Sequence, residues 1–227
     1  MFSDIINGVK LSFDTVNTIF SPDGIDRGTL AMLSILNLTS SDKLLDLGCG
    51  YGVVGIYAAK LIGAHNVVMS DIDENCIDLS IKNAETNGVS EVKVIQSDGF
   101  KNIQEKDFTL ILSNPPYHSD FSVPKHFIEK GFNRLTVGGK MIMVKANSAH
   151  HAYRAGSDTP RRIYVFRQLN KTRDIDKVVS CNANPQTPDI PDTYMDAQQH
   201  SVSVHLLRLS VYLQRVDFAQ KGSPQLQ

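Results

Sequence analysis

Five short apolar runs, regularly interrupted by stretches of a different periodicity, constrain this chain more than any other feature. "KLLDL" (43–47), "NVVMS" (66–70), "EVKVI" (91–95), "DFTLIL" (107–112) and "KMIMVK" (140–145) read as strands buried on both faces. Helix-like segments lie between them. The clearest covers 73–87, with Asp73 as N-cap, Ile77, Ile81 and Ala84 as an apolar stripe, and Asn87-Gly88 as a stop signal. A further helix is expected over 27–37, ahead of the first strand. Strands alternating with helices imply βαβ units, hence an α/β doubly wound fold with a mostly parallel sheet and helices on both faces. A chain of 227 residues, 41% hydrophobic and 21% charged, suits one such domain, with room for an appendage. Ligands of such folds bind beyond the carboxyl ends of the strands.

Those strand ends carry unusual residues. The first reads "LLDLGCGYGVVG", where Gly48, Gly50 and Gly52 permit a tight turn and let a following helix N-terminus approach a ligand. Asp46, inside the strand end, has no packing reason to be acidic. Residues 50–55 also satisfy G-x-G-x-x-G, so a dinucleotide-dependent oxidoreductase is one reading. Asp71, with Ile72 beside it, ends the second strand; a carboxylate there can accept from both hydroxyls of a ribose. Asp98 follows the third strand and can accept from an adenine amine, with Gly99 allowing the turn. The fourth strand ends in "SNPPYH" (113–118), where two prolines remove two N–H donors and stiffen a loop of acceptors beside an aromatic ring and an imidazole.

The net charge of −1 excludes a uniformly basic nucleic-acid binder, not a local patch. Arg154, Arg161, Arg162, Arg167, Lys171, Arg173 and Lys177 could form one. Cys49, Cys76 and Cys181 are widely spaced and form no C-x-x-C, which suggests neither a disulfide framework nor a thiolate zinc site. The histidines show no ligand spacing with acids, so no metal is assigned. No apolar run approaches the roughly 20 residues of a membrane span, and a soluble, cytoplasmic protein with no membrane partner is expected.

Taken in order, D-x-G-x-G (46–50), Asp71, Asp98 and N-P-P-Y (114–117) resemble the strand-end motifs of class I S-adenosylmethionine-dependent methyltransferases that methylate amines. "FSPDGIDRGTLAML" (20–33) is similar to the segment before the glycine loop in the small-domain family, which includes bacterial ribosomal RNA guanine-N2 methyltransferases. The resemblance covers roughly 8–145. It implies a Rossmann-like fold, S-adenosylmethionine as cofactor and guanine N2 of ribosomal RNA as acceptor. Cofactor binding then falls to Asp46, Gly48, Gly50, Gly52, Asp71, Ile72, Asp98 and Gly99. Asn114 and Pro115 would accept the two N–H groups of the acceptor amine and Tyr117 would stack on its ring, with Pro116 and His118 also against the substrate. A protein glutamine or a DNA adenine presents the same planar –NH2, so both remain alternatives, as does a noncatalytic RNA-binding module.

After "GGKMIMV" the sequence offers only one convincing strand, "RIYVF" (162–166), where the family leads one to expect a closing antiparallel pair. Residues 181–200 are polar and proline-spaced like a linker, and in "SVSVHLLRLSVYLQRV" (201–216) periodicity does not decide between helix and strand. The expected organisation is a domain over 1–179 and a linker and tail over 180–227.

Overall fold

The computed structural model of the protein describes residues 1–115, 122–146, 161–169 and 172–181. It opens on an element that the strand reading above does not contain. Asn7 and Gly8, both at positive φ, turn β1 (Phe2–Ile6) back onto β2 (Val9–Phe13) as a two-residue hairpin. An Asn-Gly pair between apolar residues is the strongest short hairpin signal, and here it was legible. After α1 (Arg27–Ser34) come β3 (Leu44–Leu47), α2 (Val53–Ile62), β4 (Val67–Asp71), α3 (Glu74–Thr86) and β5 (Lys93–Gln96). Next are β6 (Phe108–Ser113), α4 (Ser122–Gly131), β7 (Leu135–Ala146), β8 (Arg161–Leu169) and β9 (Thr172–Cys181).

Seven strands form one sheet in the order β5-β4-β3-β6-β7-β8-β9, parallel from β5 to β7 and antiparallel from β7 to β9. The strand order reverses between β3 and β6, which opens a crevice at their carboxyl ends. Ser113 Oγ donates to Leu47 O at 2.7 Å across that reversal and ties the two strand ends together. Adjacent residues of β3 face opposite cores: Leu44 belongs to one apolar cluster with Ile56, Met69 and Leu112, and Leu45 to another with Phe108, Ile111, Phe132 and Phe166. A strand covered by helices on both sides must therefore be apolar throughout, which is why these runs do not alternate.

The hairpin explains α2, which is buried on nearly every side. One face lies on the sheet, and Ile6, Leu11 and Phe13 of the hairpin join the same apolar cluster as Ile56 and Tyr57. The hairpin is fastened by two asparagines of the α3 C-terminus. Asn87 accepts from Ser12 N at 3.0 Å and donates to Ser12 O at 2.7 Å; Asn83 does the same for Asp14 N and O at 2.7 and 3.0 Å. Each carboxamide thus replaces a missing neighbour strand along β2 and its exit.

Three expectations need correction. The helix expected over 27–37 ends at Ser34, with Ile35 as C-cap. The closing antiparallel pair is present: "RIYVF" lies inside β8, and "TRDIDKVVSC" is its partner β9. Its charged residues disguised it, because an edge strand is paired on one side only and tolerates charge. The domain limit expected at 179 falls inside β9, which runs to Cys181. Residues 182–200 and the tail 201–216 lie outside the described residues.

Candidate functional site

The glycine loop is held by carboxylates rather than merely permitted by glycines. Asp46 is 2% exposed, and its Oδ2 accepts from Gly55 N at 2.8 Å, fastening the first turn of α2 onto β3. Burial, with Asp71 adding to it, outweighs that hydrogen bond and raises the Asp46 carboxyl to about 7. At Gly55 the helix approaches the sheet so closely that a Cβ would lie 2.3 Å from the Met69 side chain. Gly48 N donates to Ser70 O at 2.8 Å. Gly50 N donates to Asp71 Oδ2 at 2.8 Å, and Gly52, at φ +95°, starts α2 with no side-chain cap. Asp71 therefore has a structural duty that the sequence did not announce. Its second oxygen, Oδ1, accepts from Asp73 N at 3.1 Å.

A cavity of about 400 Å³ opens over this loop at the strand reversal, and every cofactor candidate named above other than Gly52 lines it. Ile72 is 64% exposed beside Asp71, an apolar surface at a polar rim. Asp98 is exposed at the cavity edge, and buried Gly99 packs under Phe127, with a Cβ there only 3.3 Å from the ring. Cys49 and Cys76 also reach the cavity. Burial pushes both thiols up, Cys76 to about 12 with Asp71 and Asp73 contributing, so both stay protonated near neutral pH and are poor nucleophiles. Among the described residues no group of three His, Cys, Asp or Glu could hold a metal ion.

The opposite wall comes from the chain between the hairpin and α1. Tyr51, in the glycine loop, packs edge-on against Phe2 and Phe13, and its hydroxyl donates to Gly24 O at 3.2 Å. Ser21 Oγ donates to Gly24 O at 2.7 Å and Thr15 Oγ1 to Pro22 O at 2.8 Å, which folds residues 15–24 into a braced loop. This loop delivers Asp26 to the cavity. Asp26 caps α1 by accepting from Gly28 N and Thr29 N at 2.8 and 3.1 Å.

Asn114 follows β6 and closes the site. Its Nδ2 donates to Asp26 Oδ2 and to Thr29 Oγ1, both at 2.9 Å. The amide nitrogen thus faces Asp26, whose oxygen accepts. Both amide hydrogens are committed, and the group's remaining chemistry is that of an acceptor. Pro115 is buried on the cavity wall. Pro116, Tyr117 and His118 lie outside the described residues, as do Arg154 and Lys171; Arg161, Arg162, Arg167, Arg173 and Lys177 fall in β8 and β9. Sequence reasoning had not placed Asp26 and Thr29 in the site. Asp26 was legible as a residue before a helix, but a contact across 88 positions has no local signal.

Comparison with known proteins identifies the family. YbxB of Bacillus subtilis (strain 168) is 32% identical over 135 residues, 59% of this chain and 67% of that protein. Ribosomal RNA small subunit methyltransferase C of Pseudoalteromonas atlantica is 35% identical over 130 residues, 56% of this chain but 37% of that protein. Among solved structures, the T. thermophilus 16S rRNA N2 G1207 methyltransferase (RsmC), in complex with AdoMet and guanosine, superposes with a TM-score of 0.54 at 28% identity. That match covers 64% of this chain and 42% of RsmC, so the chain spans less than half the length of these two ribosomal RNA methyltransferases. G-x-G-x-x-G is thereby a methyltransferase loop rather than a dinucleotide fingerprint. The profile of the methyltransferase small domain matches residues 10–157, from the hairpin past the last parallel strand, and the chain belongs to that family.

Proposed function

We propose that the protein transfers a methyl group from S-adenosylmethionine to an exocyclic amine, guanine N2 of ribosomal RNA, in the cytoplasm. The observation that carries this is the Asn114 carboxamide, held by Asp26 and Thr29 on the same cavity that Asp71 and the glycine loop line. The relatives named for ribosomal RNA methylation, and the RsmC structure with guanosine, support guanine as the acceptor.

The residues present fit the cofactor. A carboxylate has about four acceptor sites, and Asp71 uses two of them on Gly50 N and Asp73 N, leaving capacity for two ribose hydroxyls. Ile72 supplies an apolar surface for the adenine face, and Asp98 an acceptor for its amine. S-adenosylmethionine, when bound, supplies an electrophilic methyl group on a sulfonium.

The protein's share of the reaction is positioning. An aromatic amine is a weak nucleophile because its lone pair is delocalised into the ring. Asn114 Oδ1 and the Pro115 carbonyl each accept one amine hydrogen, which turns the lone pair out of conjugation and toward the methyl group. The amine nitrogen would take that methyl group as the sulfonium gave it up, and one amine proton would then leave to solvent. The family resemblance gives Tyr117 the role of stacking on the base, and two successive prolines in the sequence would stiffen the loop that carries the acceptors. The same resemblance would put Pro116 and His118 against the substrate. RNA phosphates would be met by the basic residues between 154 and 177.

The test is incubation with methyl-labelled S-adenosylmethionine and, separately, unmodified ribosomal RNA, DNA and a protein extract. Label is expected in ribosomal RNA and, after digestion, in N2-methylguanosine. Asn114→Ala should lose transfer by about 100-fold while retaining cofactor affinity. Label in DNA or protein alone would refute the acceptor assignment.

A further inference from the structure

One oxygen of Asp26 does more than a helix cap requires. Oδ2 accepts from Gly28 N, Thr29 N and Asn114 Nδ2, all within 3.1 Å, at a residue 9% exposed. Asn and Asp cap helices about equally well, so capping α1 does not by itself call for a charge. The third bond does. A carboxylate admits only the nitrogen of the Asn114 amide, whereas a neutral side chain such as asparagine could also pair with its oxygen and let the group turn over. Thr29 Oγ1 takes the other amide hydrogen at 2.9 Å and fixes the plane.

We infer that Asp26 is a positioning residue for amine methylation: it sets which end of the Asn114 carboxamide faces the acceptor. It rests on the proposed role of Asn114. The effect is both geometric and electronic. An N–H donated to an anion pushes electron density onto the amide oxygen, which then accepts an amine hydrogen more strongly. The braced loop of residues 15–24 serves this end, because Tyr51 and the hairpin rings behind it hold the segment that carries Asp26.

The decisive variant is Asp26→Asn, which preserves the cap and removes the charge. With labelled S-adenosylmethionine and in vitro transcribed ribosomal RNA, kcat should fall about 10- to 100-fold. KM for RNA and cofactor affinity should stay within about twofold, and the melting temperature within a few degrees. In an Asn114→Ala background the same change should add nothing, because the two residues act as one unit. A second readout needs no turnover. In 15N-labelled protein the Asn114 side-chain amide, identified by its loss in Asn114→Ala, should exchange slowly with solvent, and exchange should accelerate in Asp26→Asn. If that variant fails to fold, Thr29→Val removes the other acceptor and should accelerate exchange similarly. Normal turnover of Asp26→Asn beside an inactive Asn114→Ala would overturn the inference while sparing the proposed function. Unaltered amide exchange, or additive losses in the double variant, would overturn it as well. Normal turnover of Asn114→Ala would sink both.

Discussion

Asp71→Ala separates two roles that a single carboxylate combines. Oδ2 accepts from Gly50 N at 2.8 Å and Oδ1 from Asp73 N at 3.1 Å. Hydrogen bonds to a charged group contribute about 1.5–3 kcal/mol each in mutational series, but Asp71 is only partly buried and water can replace it. Deleting the side chain should therefore cost about 1–2 kcal/mol of stability, a fall of about 2–8 °C in melting temperature for a domain of this size. Loss of the bonds to two ribose hydroxyls should cost cofactor binding a further 2–4 kcal/mol, on the order of 30- to 1000-fold in Kd. Asp71→Asn is no conservative control, since its –NH2 would face one of the two backbone donors. The assay is calorimetry with S-adenosylhomocysteine and with its 2′-deoxy and 3′-deoxy analogues, on both proteins. Wild type should discriminate against the deoxy ligands and Asp71→Ala should not. Equal discrimination by both proteins would show that the ribose is held elsewhere, and an unchanged Kd would refute the assignment outright.

Other expectations follow from the same contacts. The Asp46 carboxyl is raised by burial from near 3.9 to about 7, so the folded state holds its proton to higher pH than the unfolded chain. Its contribution is fully present below about pH 4 and is lost as pH rises through 7; the melting temperature of Asp46→Asn should lack that decline, and parallel curves would refute the burial argument. Asn87→Ala removes both bonds to Ser12 and one to Asn83 O, and should cost about 2 kcal/mol, or about 4–8 °C in a thermal melt, without changing cofactor affinity. A protein ending at Cys181, the last residue of β9, should stay folded and show a cofactor-dependent rise in melting temperature. Insolubility of that protein would make residues beyond 181 part of the core.

The physical rule that decided legibility was range. Apolar runs such as Leu44–Leu47 and Phe108–Ser113, and the cap at Asp73, are local patterns set by backbone period and burial, and they prescribed a parallel sheet and its site-bearing ends. Asp46, Asp71 and Asn114 stood out because a polar group at the end of a buried strand needs a partner or a purpose. What each carboxylate holds is another matter. Gly50 N on Asp71 spans 21 positions, and Ser12 on Asn87 spans 75, so only the folded chain brings these groups within 3 Å. The Asn7-Gly8 hairpin was locally encoded, but only packing shows that it roofs α2 and braces Tyr51. β9 escaped notice because an edge strand carries charge where a central one cannot. Residue types and their order thus determined the candidate chemistry. The tertiary structure decided which way the Asn114 amide points, because that orientation depends on a carboxylate supplied from 88 positions earlier in the chain.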